Sequence, residues 1–379
     1  MDFAPSPEHE AFRKVVREFA EAEIAPHAAD WDREHYFPVE TVRKMGDLGL
    51  FGLPFPVEYG GSGSGLLTTS IAIEEISRVD ASLGITLEAG VGLGANLIVR
   101  FGTDEQKKRW LPDLVAGRAL AAFGLTEPDA GSDAGATRTR AELSGGEWVI
   151  NGEKAFITNG GTPITSLVTV AARTGPGEIS TIIVPAGAAG FIVDPPYRKM
   201  GWRASDTRGL HFEDCRVPEG NLVGERGRGF HQVLAILDDG RVAIAAMAVG
   251  IAQACLEQAV AYAREREAFG RKIGANQGVA FRCADMAVAV DAARLLTYRA
   301  AWLHDAGRPF HQEAAIAKLY ASEIAVDASR HATQIFGGYG FVDETPVSRF
   351  YRDAKALEIG EGTSEIQRLI IARGLGLPL

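Results

Sequence analysis

Residues 231–266 place Ala, Val, Ile or Leu on almost every face of a helical repeat, and no other feature limits the fold of this chain so strongly. A helix without a polar face cannot lie on a surface, so it is buried in a bundle or at a contact between subunits. Two further long helical patterns, 281–305 and 312–336, run into glycine at Gly307 and at Gly337-Gly338, where a left-handed residue closes a helix. A last helix begins near Ser364, with Ile366, Leu369 and Ile370 on one side. Residues 230–379 therefore read as a four-helix bundle.

The first third, residues 1–123, also reads as all-helical. Ser6 is placed to cap a helix over residues 8–22, with Pro7 at the first helical position and Phe12, Val15, Val16 and Phe19 on one face. Thr103-Asp-Glu-Gln106 is a capping box, and Gly102 and Pro112 punctuate the helices around it. Residues 124–229 change texture to short β-rich runs at 147–150, 154–158, 166–171, 179–184 and 209–212. Asn151-Gly152 favours a type I′ turn, which predicts a tight hairpin between the first two runs. The middle third reads as a small β-domain of the sandwich or barrel kind. The fold class is α+β in the order α, β, α, with no internal repeat, and 379 residues suffice for two or three domains and a substantial core.

Composition removes several classes of function. Hydrophobic residues make up 46% and charged residues 23%, the balance of a folded globular chain. A net charge of −10 supplies no nucleic-acid footprint, though a local basic patch can still bind a phosphorylated ligand. No basic, then apolar leader precedes the first helix and no uncharged run is long enough to span a bilayer, so a cytoplasmic protein without a membrane segment is expected. Cys215, Cys255 and Cys283 show no metal-ligand spacing and read as small hydrophobes, so no metal site is expected.

Two segments carry the chemistry. Residues 124–136, Gly-Leu-Thr-Glu-Pro-Asp-Ala-Gly-Ser-Asp-Ala-Gly-Ala, combine glycines with the hydroxyls of Thr126 and Ser132; they suit either a surface loop or the polar edge of a flat ligand. No Gly-x-Gly-x-x-Gly follows a strand, so a dinucleotide, if bound, is held without a Rossmann fingerprint. Residues 358–367, Glu-Ile-Gly-Glu-Gly-Thr-Ser-Glu-Ile-Gln, place Glu361 between Gly360 and Gly362 just before the last helix. There its carboxylate either complements the helix dipole from solvent or projects into a cleft.

Residues 124–136 resemble the first signature of the acyl-CoA dehydrogenase flavoprotein family. Residues 334–353, Gln-Ile-Phe-Gly-Gly-Tyr-Gly-Phe-Val-Asp-Glu-Thr-Pro-Val-Ser-Arg-Phe-Tyr-Arg-Asp, resemble the second. The resemblance covers essentially the whole chain, and it is nearest to the short-chain and branched-chain members. It implies the same α, β, α fold, FAD as cofactor, an acyl-CoA thioester as substrate, an electron-transfer flavoprotein as acceptor and a homotetramer.

The resemblance also assigns roles. Glu361 matches the base that removes the α-proton, and its own backbone N–H and a flavin ribityl hydroxyl are the implied donors to the developing enolate oxygen. In isovaleryl-type and long-chain-type relatives the base lies instead on the long helix, at the position that Gly240 holds here in Leu237-Asp-Asp-Gly-Arg241. Gly360, Arg241, Asp238 and Ser132 are the candidates for substrate contact. Arg241 read alone is either a structural ion-pair partner or a direct participant. Gly360 either serves a backbone turn or opens space for a branched acyl group, where many straight-chain relatives have tyrosine. Flavin contacts are implied for Leu125, Thr126, Gly131, Ser132, Phe156, Ile157, Thr158, Thr363 and Glu365. Many relatives have tryptophan where Phe156 stands; phenylalanine keeps the aromatic face and loses the indole donor. Arg266, Phe269 and Gln277 match the pyrophosphate stretch, and Gln334, Gly337 and Gly338 match residues that reach the flavin of a neighbouring subunit.

Other readings of the same sequence are an oxidase or monooxygenase on this scaffold, a dehydrogenase of carrier-protein-bound acyl groups, and a non-catalytic acyl-binding protein. The larger acyl-CoA oxidases carry a C-terminal region that this chain lacks, and monooxygenase relatives have no use for Glu361.

Overall fold

The computed structural model describes residues 5–378. The N-terminal part holds α1 (Pro7–Phe19), α2 (Ala28–Glu34), α3 (Val39–Asp47), α4 (Gly65–Val79), α5 (Ala81–Glu88), α6 (Asn96–Phe101) and α7 (Asp104–Val115). Ser6 caps α1 by accepting the His9 N–H at 3.3 Å, and α1 continues as a π-helical turn, Ala20–Ile24. Thr103 and Gln106 close the expected capping box on α7 at 3.2 and 3.0 Å. Pro112 does not end a helix; it lies inside α7, which runs on to Val115. A π-helical turn, Ala89–Ala95, joins α5 to α6, so Ala81–Phe101 is a 21-residue run, mostly apolar, whose most apolar 18-residue stretch has a mean hydropathy of 1.5 and whose charges are Glu88 and, near its end, Arg100. Most of it is buried, as a core helix is.

Strands begin earlier than the sequence suggests. β1 (Leu120–Gly124) already lies in the sheet, so the first third is not helical up to residue 123. There follow β2 (Arg140–Ser144), β3 (Glu147–Thr158), β4 (Thr165–Gly175), β5 (Glu178–Pro185), β6 (Phe191–Val193), β7 (Thr207–Pro218) and β8 (Leu222–Val223). The order is β6-β7-β3-β2-β4-β5-β8, with β1 parallel to β4. β2 meets β4 through a single pair, Arg140 with Arg173. The two halves of the sheet share one core, Trp148 and Ile150 from β3, Val168 and Val170 from β4, Ile182 and Val184 from β5, and Leu210 and Phe212 from β7.

The tight hairpin exists, but not at Asn151-Gly152. Its turn is Gly145-Gly146, both with positive φ (63° and 83°), between the paired residues Ser144 and Glu147. Two consecutive positive φ angles are what a type I′ turn requires. Asn151-Gly152 lies inside β3, at a bulge against β7. Gly152 has φ 143°, and a Cβ there would stand 2.7 Å from Thr139 Cα, so close backbone approach explains this glycine.

The C-terminal part holds α8 (Gly229–Glu265), a small hairpin of β9 (Glu267–Ala268) and β10 (Arg271–Lys272), then α9 (Gln277–Asp305), α10 (His311–Phe336), α11 (Pro346–Leu357) and α12 (Ser364–Gly374). Helices α8, α9, α10 and α11 form the bundle, and α4 covers the remaining side of α8. That double coverage explains the apolar circumference: Ile244, Met247, Val249 and Ile251 are fully buried within one chain. Each such side chain contributes about 1.5–3 kcal/mol of transfer free energy. Gly250 lets α4 and α8 approach closely, since a Cβ there would meet the Glu74 carbonyl oxygen at 2.3 Å.

Candidate active site

Between α11 and α12 the chain makes a short loop whose carbonyls are pinned from below. Gln367 Nε2 donates to the Gly362 carbonyl at 2.8 Å and the Glu361 carbonyl at 3.3 Å, and Lys318 Nζ, fully buried on α10, donates to Gly362 at 2.8 Å. Thr363 caps α12 by accepting the Ile366 N–H, and Glu365 is exposed on its first turn. Glu361 sits at φ 51°, a left-handed conformation that non-glycine residues adopt at a cost and that clusters at functional sites. Its carboxylate is turned inward, and among the described residues neither of its buried oxygens meets an N–H or hydroxyl donor. This decides between the two local readings: the acid does not lie on a solvated face.

The carboxylate stands over Gly240. A Cβ at that position would lie 1.9 Å from Glu361 Oε2, so the two alternative positions for a base draw on a single volume. Burial raises the pKa of Glu361, while a hydrogen bond from Glu88, Lys318 and Arg241 work against that rise. Burial also brings the Lys318 ammonium down to about 8, against the pull of Glu361. Arg241 is buried, and its guanidinium is engaged by Asp238, which also holds His311 Nδ1 at 2.7 Å. Burial lowers the Arg241 pKa, opposed by Asp238 and then Glu361, so the arginine is both an ion-pair partner and part of the electrostatic setting of Glu361.

Gly360 has an ordinary φ, and a Cβ on it would make only normal contacts, 3.6 Å to the Ala356 carbonyl oxygen and 3.9 Å to Trp202 Cη2. The backbone does not require glycine there; the absent side chain leaves room beside Trp202. Trp202 is tied to α11 by its N–H, which donates to Asp353 at 2.6 Å, while its buried indole Nε1 has no partner among the described residues.

On the β-domain side the 124–136 segment meets β3 beside Phe156. Lys154 Nζ on β3, buried, donates to the Leu125 carbonyl at 3.0 Å, to Glu127 at 2.7 Å and to Thr137 Oγ1 at 3.0 Å, and the Ala155 N–H donates to the Thr126 carbonyl at 2.9 Å. Burial brings Lys154 down to about 8. Burial also works to raise Glu127, but Lys154, the Thr137 hydroxyl and the Arg138 N–H hold it at about 2. A second bulge against β7, between Lys154 and Ile157, puts Phe156 at φ 60° and turns its ring outward, 65% exposed and 5.2 Å from the Tyr197 ring. Ile157 is different: its side chain belongs to the core of the β-domain, so a ligand reaches only its backbone. Thr158 is half-buried beside it, and Gly131 and Ser132 are exposed on the loop, with open space around Gly131. An outward aromatic face, an uncrowded glycine loop and the orphaned Trp202 Nε1 and Glu361 carboxylate fit a flat ligand with polar edges, as a flavin is.

The remaining candidates lie elsewhere. Arg266 closes α8, stacks over Tyr339 at 5.9 Å and, with Gly337 and Gly338, lines a groove of about 550 Å³ floored by Tyr262 and Phe336. Phe269, at φ 54° in the β9–β10 turn, is 99% exposed; Gln277 begins α9 and Gln334 lies on the outer face of α10. From Gly240 to Glu265 the helix rises roughly 38 Å, so within one chain this set is far from Glu361. A different apolar surface is unpartnered. Phe281, Val288, Leu295 and Trp302 recur every seventh residue along α9, each 44–71% exposed.

Glu88, Trp202, Lys318 and the Glu127–Lys154 pair escape the sequence reading. Glu88 and Lys318 each had a signal, a lone charge inside an apolar helical run.

Three family models match the chain in order: "Acyl-CoA dehydrogenase, N-terminal domain" over residues 6–118, "middle domain" over 122–215 and "C-terminal domain" over 227–376. The chain is 50% identical over 378 residues to "Probable acyl-CoA dehydrogenase YngJ" of Bacillus subtilis, covering 99% of this chain and 100% of that relative. It is 47% identical over 374 residues to "Acyl-CoA dehydrogenase, short-chain specific" of Clostridium acetobutylicum, covering 98% and 99%. The solved structure of butyryl-CoA dehydrogenase from Megasphaera elsdenii superposes with a TM-score of 0.96 at 40% identity, over 99% of this chain and 100% of that one. The chain belongs to the acyl-CoA dehydrogenase family of flavoprotein oxidoreductases.

Proposed function

We propose that this chain is an FAD-dependent dehydrogenase of short or branched acyl-CoA thioesters, with Glu361 as the base. The observation that carries the reading is the inward Glu361 carboxylate over Gly240, met by no N–H or hydroxyl among the described residues, beside the space that Gly360 leaves at Trp202. A thioester α-proton is only weakly acidic. A buried carboxylate with a raised pKa is a better base for it than a solvated one, and the Glu361 backbone N–H is the donor this chain would offer to the enolate oxygen. A bound flavin would supply the acceptor for the β-hydrogen and its electron pair. Leu125, Thr126, Gly131, Ser132, Phe156 and the backbone of Ile157 and Thr158 would hold its ring system, and an electron-transfer flavoprotein would take the electrons onward, as the family resemblance implies. The reading is tested by anaerobic reduction of the bound flavin across a panel of acyl thioesters. A colourless protein that releases no flavin on denaturation would end it.

Substrate shape follows from Gly360. With isobutyryl-, 2-methylbutyryl-, isovaleryl-, butyryl- and octanoyl-CoA, the wild type should favour the short and branched chains over octanoyl-CoA. Gly360→Tyr should lower kcat/KM for the branched chains relative to butyryl-CoA by about ten- to two-hundredfold, the value of one misplaced methylene. An unchanged ratio would show that the space beside Trp202 does not receive the branch.

The 38 Å separation along α8 bears on assembly. Arg266, Gln334, Gly337 and Gly338 reach a flavin held at Phe156 only if a second copy brings them there, and the exposed seam on α9 offers that copy an apolar surface. The expected state is therefore a homotetramer, or at least a dimer, in which the seam is α9 rather than the internally covered α8. Val288→Glu should shift light scattering toward smaller species and deplete bound flavin. A flavin-loaded monomer in the wild type at micromolar concentration would contradict this.

A further inference from the structure

Glu88 is the last residue of α5 and has no exposed surface. Among the described residues, neither of its oxygens meets an N–H or hydroxyl donor, and the same holds for both oxygens of Glu361. The two carboxyl groups face each other closely enough for each to act on the proton affinity of the other. Gly92, four residues on, makes room for this approach, because a Cβ there would lie 2.9 Å from Glu88 Oε1. The cations around the pair are turned elsewhere: Arg241 on α8 toward Asp238, and Lys318 on α10 toward the Gly362 carbonyl. Asp239, also on α8, is occupied by Asn96 and Arg100 from α6 and lies near His304 of α9, while Glu358 and Glu365 act from the flanking loop and α12 on Lys318. Two enclosed acceptors that face each other without an N–H or hydroxyl donor among the described residues are satisfied by a proton that they share.

We propose that Glu88 is a positioning residue that carries the proton of a Glu88–Glu361 pair, so that Glu361 is ionised and oriented before substrate arrives. The inference rests on Glu361 being the base. The asymmetry of the surroundings decides which partner holds the proton. Glu361 faces Arg241 and Lys318, which favour its anion, whereas Glu88 ends an apolar helix, and burial followed by the charge of Glu361 pushes its pKa well up. The pair then titrates as a unit, and its lower apparent pKa marks the loss of the base. Removing the donor at residue 88 withdraws a hydrogen bond from the Glu361 anion, so the pKa of Glu361 rises.

The test is the pH profile of kcat/KM for anaerobic flavin reduction by butyryl-CoA, which reports the free, flavin-loaded enzyme. Glu88→Leu should move the acid limb upward by about one pH unit or more, a roughly tenfold loss below the limb with the plateau retained. Glu88→Gln, which keeps an N–H donor, should leave the limb within a few tenths of a unit of the wild type. An unmoved limb in Glu88→Leu overturns the proposal. Should that variant not fold, the infrared difference spectrum of wild type minus Glu88→Gln at neutral pH decides: a carboxylic-acid C=O band supports the shared proton, and its absence overturns it. Glu361→Gln run alongside separates the two levels, because near-normal reduction by that variant would refute the base itself rather than its partner.

Discussion

Glu361→Gln should slow anaerobic flavin reduction by at least about a hundredfold, the lower end of what a positioned base contributes, while fold and flavin content persist. The loop that presents the residue is held by bonds from Gln367 and Lys318 to main-chain carbonyls, none of which involves the Glu361 side chain, so the amide should occupy the same place without the ability to take a proton. Gly240 provides the control. Gly240→Ala alone should also slow reduction, because its methyl group would stand 1.9 Å from the carboxylate oxygen and displace it. In a Glu361→Gly background, Gly240→Glu should recover part of the lost rate by returning a carboxylate to the same volume from the other element. The pH dependence has a fixed sign. Burial raises the Glu361 pKa, so the active anion is lost as pH falls through that raised value and the rate falls with it. Near-wild-type reduction by Glu361→Gln at any pH would remove Glu361 from the chemistry.

The parts of this fold that the sequence discloses are those written in local chemistry. The apolar circumference of α8, the Thr103 capping box and the left-handed glycines after α9 and α10 are each decided within a few residues. The hairpin shows where that stops. Gly145-Gly146 and Asn151-Gly152 are both fair type I′ turns on local grounds, and the choice between them is made by β7, which pairs along the full length of β3 and forces Gly152 into a bulge. Nothing local to residues 147–158 announces that partner. The same holds for the candidate site. Glu361 is found through its flanking glycines and the family resemblance, but its opposition to Gly240 and approach to Glu88 arise only when α5, α8 and the loop before α12 converge. The apolar α8 reads locally as either bundle core or subunit contact, and α4, α9 and α10 cover its faces within the chain. The seven-residue spacing of Phe281, Val288, Leu295 and Trp302 was present in the sequence, though only exposure separates it from an ordinary core stripe.

Lys154→Met should destabilise the protein by about 3–5 kcal/mol, the cost of leaving a buried partner charge alone, and should weaken flavin retention in parallel. Methionine nearly matches the lysine stem in volume, so the loss is electrostatic rather than a cavity. The three bonds from Nζ are what tie the Leu125–Glu127 segment to β3, next to Phe156. Glu127 would remain buried, still accepting the Arg138 N–H at 2.6 Å and the Thr139 N–H at 3.0 Å but without its counter-charge. Lys154→Met/Glu127→Gln should therefore recover a substantial part of the stability that the single substitution loses, a coupling that a double-mutant cycle reads directly. The acid limb of stability gives an independent check. Glu127 is held at about 2 in the folded chain against an ordinary value of 4.5, so its contribution is complete above 4.5 and disappears as pH falls from there toward 2. Thermal unfolding followed across that window should show a steeper loss for the wild type than for the double variant. Equal slopes, or a Lys154→Met protein with wild-type melting temperature and flavin content, would show that the Glu127–Lys154 pair does not hold the loop.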